Sequence, residues 1–403
     1  MCDDEVRTVH RSGTLSVRPG SQEQEDAGAR TQVLWDESDY RKLSNTMRTS
    51  IERRFHRMNE LGTKLGADWP AIRKAILNTE RDLKELERLL LPSDERPLAE
   101  NMSLVFFGSL AREESTSQSD LDWTLLVNGE VDGQHFSIAQ AIRKKLRDKI
   151  GPGATGTFGG LVFSHELVHC IGGQDDTNKN LTLRMLLLLE SISIGEDEPR
   201  QMVIRASLKR YPADAPSWTW KTDGKLPRFL LNDVVRFWRT MAVDFADKFR
   251  DQEGEKWALR NAKLRFSRRL IFLTGMLACF SWRLHGLRSS SPEVEQTVEK
   301  AITYFEDYFS RPPLEILASE LIYTEAPPEI SRTIFSSYNE FLAILDDETA
   351  RTELQTIPRE SADKSRVFQQ VRQLSHEYRD ALLNWLHMPG SPLYVLVKEY
   401  ALF

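Results

Sequence analysis

The stretch LVFFGSLAREESTSQSDLDWTLLV, residues 104–127, decides how the rest of the chain is read. Leu104 to Phe107 is short, apolar and aromatic, the composition of a buried strand. Gly108 tolerates backbone angles that a side chain forbids, and Ser109 is a favoured helix N-cap. The pair therefore predicts a tight strand-to-helix turn whose exposed N–H groups suit a phosphate. After ten intervening residues come Asp120, Leu121 and Asp122, and then a second apolar run, Trp123 to Val127. Positions two apart on a strand share a face, so Asp120 and Asp122 point the same way and repel each other unless a cation lies between them. Mg²⁺ binds through a few carboxylates and substrate phosphate oxygens, which matches this pairing of acids with a phosphate-binding turn.

Gly108-Ser109, the ten-residue gap and Asp120-Leu121-Asp122 between apolar strands resemble the signature of the DNA polymerase beta-like nucleotidyltransferase superfamily. Arg112, four residues past Gly108, resembles the GSxxR form of its bacterial members. The resemblance covers about Leu104 to Val127. It implies an α+β fold: a mixed-sheet nucleotidyltransferase core with N-terminal helices, followed by an all-α helical bundle. It further implies transfer of a nucleoside monophosphate from an NTP such as ATP to an acceptor hydroxyl, with pyrophosphate leaving. Two Mg²⁺ ions would be held by Asp120 and Asp122, and Gly108, Ser109 and Arg112 would contact the nucleotide. The acceptor is left open among a nucleotide, an RNA end, a protein side chain and a small molecule.

With 403 residues the chain can bury two ordinary cores, and its 40% hydrophobic and 28% charged residues are those of a soluble globular protein. A formal net charge of -6 gives no general attraction to polyanions, so no broad nonspecific nucleic-acid surface is expected, although a local basic cleft is compatible with it. Cys2, Cys170 and Cys279 are too few and too scattered for a disulfide framework or a zinc finger. The N-terminal sequence lacks the apolar core of a signal peptide, and runs such as Met185 to Leu189 are too short to span a bilayer. A cytoplasmic protein without membrane partners is expected.

Residues 1–30 read as a disordered tail, 31–200 as the core with an N-terminal helical hairpin, and 201–403 as the helical domain. One amphipathic helix is expected through Tyr40, Leu43, Met47, Ile51, Phe55 and Met58 until Gly62 and Gly66, and a second from Pro70 to Pro92. The glycine-rich segment 151–160 predicts a loop beside the site.

A competing motif follows. His165, Glu166 and His169 form HExxH, extended by Gly172 and Asp175, and on a helix this places two imidazoles one turn apart to bind zinc. It resembles the HExxHxxGxxD variant of the metzincin protease signature, which makes a zinc metalloprotease the alternative reading. An inactive nucleotide-binding module is a further one. Under the nucleotidyltransferase reading, the superfamily takes a third acid from a later strand. Residues 151–164 contain none, leaving Glu166, Asp175 and Asp176, of which Glu166 is the candidate catalytic residue.

The apolar segment Asn180 to Glu190 predicts a central helix carrying an unusual Arg184, for which a paired structural role competes with a phosphate contact. A domain boundary is placed around 200–226. Beyond it, polar rows rich in cations run along the helices Arg228 to Phe249 and about Lys256 to Leu284. By the resemblance, Lys263 and Ser267 of the second of these are expected on the triphosphate. A salt-bridged layer with Asp233 and Asp244 is the competing reading of those rows.

Overall fold

A computed structural model describes residues 45–91, 98, 100–147, 158–213, 226–251, 256–286 and 294–400. The expected tail, Cys2, Pro92, most of the glycine-rich segment 151–160 and the boundary tryptophans Trp218 and Trp220 lie outside them.

The motif strand is β1, Met102–Phe107, and the second apolar run is β2, Asp122–Val127. They pair antiparallel, with Phe107 opposite Asp122 and Met102 opposite Val127. The helix α1, Gly133–Leu146, then carries the chain over to β3, Gly160–Phe163, which lies parallel to β2. A fourth strand, β4, Ser191–Ile194, pairs antiparallel with the other edge of β1, giving the mixed order β3-β2-β1-β4. Alternation along the strands sends Met102, Leu104 and Phe106 with Trp123, Leu125 and Val127 into one core. That core is closed by Ala139, Ile142 and Leu146 of α1 and by Leu86 and Leu90 of α2, Pro70–Leu90. Every residue of β1 is buried, so its other face is covered too. There Ser103 Oγ donates to the Glu196 carbonyl at 2.7 Å and accepts from the Arg200 N–H at 3.2 Å, pinning α3, Glu198–Ala213. The architecture is the expected α+β core plus helices.

The single N-terminal helix of the sequence reading is interrupted at Phe55, giving α4, Asn45–Arg54, and α5, His56–Leu65, which stops where Gly66 turns left-handed at φ +56°. Gly62 does not end the helix; it is buried within it. The residues before α5 and α2, Phe55 and Trp69, have no side-chain oxygen to cap a helix. The caps come from far along the chain. Glu315 of α6, Pro313–Tyr323, accepts from the N–H groups of Arg57 at 2.7 Å and Met58 at 2.9 Å. Asn339 of α7, Pro328–Asp346, accepts from Ala71 at 2.9 Å. The first half of α2 thus packs on the C-terminal helices and its second half on the sheet.

Two further helices wall the region beyond the strand ends: α8, Asn178–Leu189, leading into β4, and α9, Arg228–Asp251. Next in the chain, the expected helix from Lys256 is divided into α10, Trp257–Lys263, a π-turn, Leu264–Arg268, and α11, Arg269–Gly286. No helix among the described residues is long and apolar enough to cross a membrane.

Candidate active site

β1 ends in a left-handed Gly108, φ +71°, which opens a single helical turn, Gly108–Ala111. Ser109 therefore sits inside that turn and not at its cap. Because Phe107 pairs with Asp122, Gly108 passes beside the Asp122 carboxylate, and a Cβ added to it would lie 3.2 Å from Asp122 Oδ2. The backbone angle demands glycine, and an added Cβ would press on the Asp122 carboxylate. Gly108→Ala is expected to cost about 1–2 kcal/mol of stability in thermal unfolding and to reduce turnover beyond what that loss explains, since the methyl displaces Asp122. An unchanged melting temperature together with full turnover would refute it.

The turn closes on a Schellman pattern. Glu113 N–H donates to the Leu110 carbonyl at 3.2 Å and Glu114 N–H to the Ser109 carbonyl at 2.8 Å, with Glu113 itself left-handed at φ +59°. From there residues 114–121 are held on three sides. Ser115 N–H donates to Thr79 Oγ1 of α2 at 3.1 Å, and Ser117 N–H to Asp346 of α7 at 3.1 Å. The buried Arg351, on the helix α12, Glu348–Thr356, donates to Thr116 Oγ1 at 3.1 Å and to the Gln118 carbonyl. This suspended loop delivers Asp120 and then Asp122 to the strand end.

Gly108, Ser109, Arg112, Asp120, Asp122, Lys263 and Ser267 all line one cavity of about 350 Å³. Of the site residues expected from sequence, Glu166 alone is absent from its wall; it is exposed on a short helix, Ser164–His169. The acid that lines the cavity is Glu190, buried at the C-terminus of α8 where β4 begins. The strand SISI was not expected from sequence, and an acid standing at that helix-to-strand junction is the signal that would have found Glu190. Arg268 and Arg351 likewise line the wall without having been anticipated.

Arg112 is consumed within the protein. Its Nε donates to Glu114 at 2.9 Å and its Nη1 to Glu190, while Glu114 also accepts from the Tyr338 hydroxyl of α7 at 2.6 Å. Burial pushes the Asp122 carboxyl above the usual range, and the charges of Asp120 and Glu190 add to this against the opposing Arg268 and Lys263. At Asp122 itself burial and the neighbouring carboxylates make the negative charge costly, and the donors there are hard carboxylate oxygens. Both properties fit Mg²⁺. Lys263 lies 3.9 Å from Asp120; partial burial, with Arg351 and Arg268 nearby, lowers its pKa to about 8 despite the two aspartates. Six cationic and five acidic side chains line the cavity, which makes it net positive in a chain of net charge -6 and favours an anionic ligand.

Arg184 points into the protein. It makes a two-pronged pair with Asp176 at 3.0 Å, meets Asp233 of α9 at 2.9 Å and donates to Tyr211 at 3.2 Å, the structural pairing the sequence allowed. Asp244 likewise pairs with Lys248 at 2.8 Å. The HExxH histidines do stack one turn apart, ring centroids 4.7 Å, but both are exposed. Among the described residues no three His, Cys, Asp or Glu side chains gather to hold a metal, there or elsewhere. Elemental analysis of the purified protein is expected to find no stoichiometric zinc. One zinc per chain, lost on His165→Ala, would favour the protease reading.

No curated protein matches the chain. Residues 47–151, which run from within α4 through α5, α2, β1, the motif, β2 and α1, match the family described as Putative nucleotidyltransferase DUF294.

Proposed function

We propose that this chain is a Mg²⁺-dependent nucleotidyltransferase of the GSxxR and DxD type, which moves a nucleoside monophosphate from an NTP to an acceptor hydroxyl. The observation that carries this reading is the convergence, on one cavity, of the Gly108-Ser109 turn, Asp120, Asp122, Glu190 and the cations Lys263 and Arg268 from four separate parts of the chain. The similarity of residues 47–151 to a nucleotidyltransferase family supports the general class of activity.

In this reading Asp120 and Asp122 would hold Mg²⁺, which would neutralise charge on the phosphate oxygens of the substrate. The turn at Gly108 and Ser109 receives the leaving phosphates. Lys263 and Ser267 steady the same phosphates from the opposite wall, orienting the α-phosphorus for in-line attack. Glu190 replaces Glu166 as the third carboxylate. It is placed to take the acceptor's proton, because its charge is felt at Asp122 and Arg112 fixes its position.

The test is pyrophosphate release from each NTP with Mg²⁺ and a panel of hydroxyl acceptors, paired with calorimetric NTP binding to Lys263→Ala. Removing one charge-assisted phosphate contact should weaken NTP binding by about ten- to a hundredfold while the fold survives. Unchanged affinity with a large fall in melting temperature would make Lys263 a structural partner of Asp120 and would remove the helical wall from the nucleotide site.

A further inference from the structure

Three arginines line the cavity, and they are not equivalent. Arg112 is bound to Glu114 and Glu190. Arg351 commits both terminal nitrogens to Thr116 and to the Leu345 and Gln118 carbonyls, which holds the loop that carries Asp120, and only its Nε is left without a partner. Among the described residues no hydrogen bond or ion pair holds the side chain of Arg268, although it is half-buried and stands close enough to Asp122 to act on its charge.

The local backbone accounts for its position. In a regular α-helix, residues five apart lie about 140° apart around the axis, so Lys263 and Arg268 would face different surroundings. Residues 264–268 form a π-turn instead, whose i to i+5 pairing stacks residues five apart on one face. The turn is locked by Phe266, fully buried and stacked on Phe341 at 4.3 Å and on Tyr378 at 5.3 Å. With Phe266 buried on one side, Lys263, Ser267 and Arg268 all reach the cavity on the other. Two cations on one wall repel, a cost that an anion between them would relieve. A guanidinium presents a planar fork of donors that fits phosphate oxygens, and an ammonium beside it adds a point charge.

We infer that Arg268, and not the motif arginine Arg112, is the arginine that grips the nucleotide, and that the π-turn aligns it with Lys263 as a clamp on the terminal phosphates. This rests on the nucleotidyltransferase reading and deepens it. The clamp selects the triphosphate tail over the nucleoside: a monophosphate leaves it empty. Arg112 instead sets the position of Glu190.

The experiment is titration calorimetry of the full chain with Mg²⁺, using a non-hydrolysable α,β-methylene NTP and the matching nucleoside monophosphate as probes. The wild type is expected to bind the triphosphate at least tenfold more tightly. Arg268→Ala should weaken triphosphate binding by about ten- to a hundredfold and leave the monophosphate within about twofold. Arg268→Lys should recover part of the loss, since it keeps the charge and gives up the fork. Unchanged triphosphate affinity in Arg268→Ala would overturn the inference, and so would an equal loss for both probes. If the alanine variant unfolds, Arg268→Lys and Arg268→Gln carry the same comparison. A wild type that binds neither probe refutes the nucleotidyltransferase reading itself, an outcome distinct from failure of the clamp.

Discussion

Asp122→Asn, assayed as pyrophosphate release with Mg²⁺, is expected to lose at least roughly a thousandfold in turnover, about 4 kcal/mol of transition-state stabilisation. The amide is nearly isosteric and removes the charge that holds the cation. Asp122 stands beside Gly108, with the cations Arg268 and Lys263 and the like-charged Asp120 and Glu190 all close enough to act on it. The fold should not suffer: a group whose charge is disfavoured by burial becomes easier to accommodate when neutral, so the melting temperature should hold or rise slightly. Asp120→Asn should lose comparable turnover, and it also frees Lys263 from its carboxylate neighbour. Wild-type turnover in either variant would sink the assignment of the pair as the metal-binding carboxylates.

The largest expected loss of stability lies elsewhere. Arg184 has no solvent exposure and balances Asp176 and Asp233, themselves nearly buried, across α8 and α9. Arg184→Met keeps the volume and leaves the two buried carboxylates with the half-exposed Arg236, 3.4 Å from Asp176 and 2.9 Å from Asp233, in place of their buried partner, which should cost about 3 kcal/mol. The pH dependence separates this cause from poor packing. In the wild type, burial works against the Asp176 charge, but the hydrogen bond and charge of Arg184 hold its carboxyl below the usual range. The stability this contributes is present above the ordinary carboxyl pKa and disappears as pH falls through the lowered one. In the variant the sign reverses. Two buried acids that share Arg236 alone take up a proton more readily in the folded state, so the deficit should shrink as pH is lowered from 7 towards 5. A deficit below about 1 kcal/mol, or one of equal size at both pH values, would show that the triad is not an electrostatic unit.

The parts of this site legible in the sequence are those set by local rules. The apolar run of β1, the glycine turn and the paired acids before Trp123 each follow from strand alternation and turn chemistry within a few residues. Glu190 was missed because β4 is only four residues long and follows an apolar helix without a break, so the strand that brings an acid beside β1 left little periodic trace. Glu166 drew attention by proximity in sequence to the expected third strand, yet its helix turns it outward. Arg268 was missed for a different reason: projection on a regular helix separates it from Lys263, and nothing in LRFSR announces the extra residue in the turn. The break at Phe55 and the borrowed caps Glu315 and Asn339 share the property that defeats local reading, since the groups that decide them lie more than 250 residues away.

The suspension of residues 114–121 has a consequence for the chain's own synthesis. Strands and motif emerge from the ribosome early, but the side chains that steady the loop arrive late, at Tyr338, Asp346 and Arg351. Domains commonly fold in the order they are made. Here the nascent sheet would display Asp120 and Asp122 on a loop still lacking its tethers, without Lys263 or Arg268 opposite. A chain terminated before Arg351 would thus carry the whole recognisable motif and lack the tethers of its loop, so that competence waits on residues more than 200 positions beyond it.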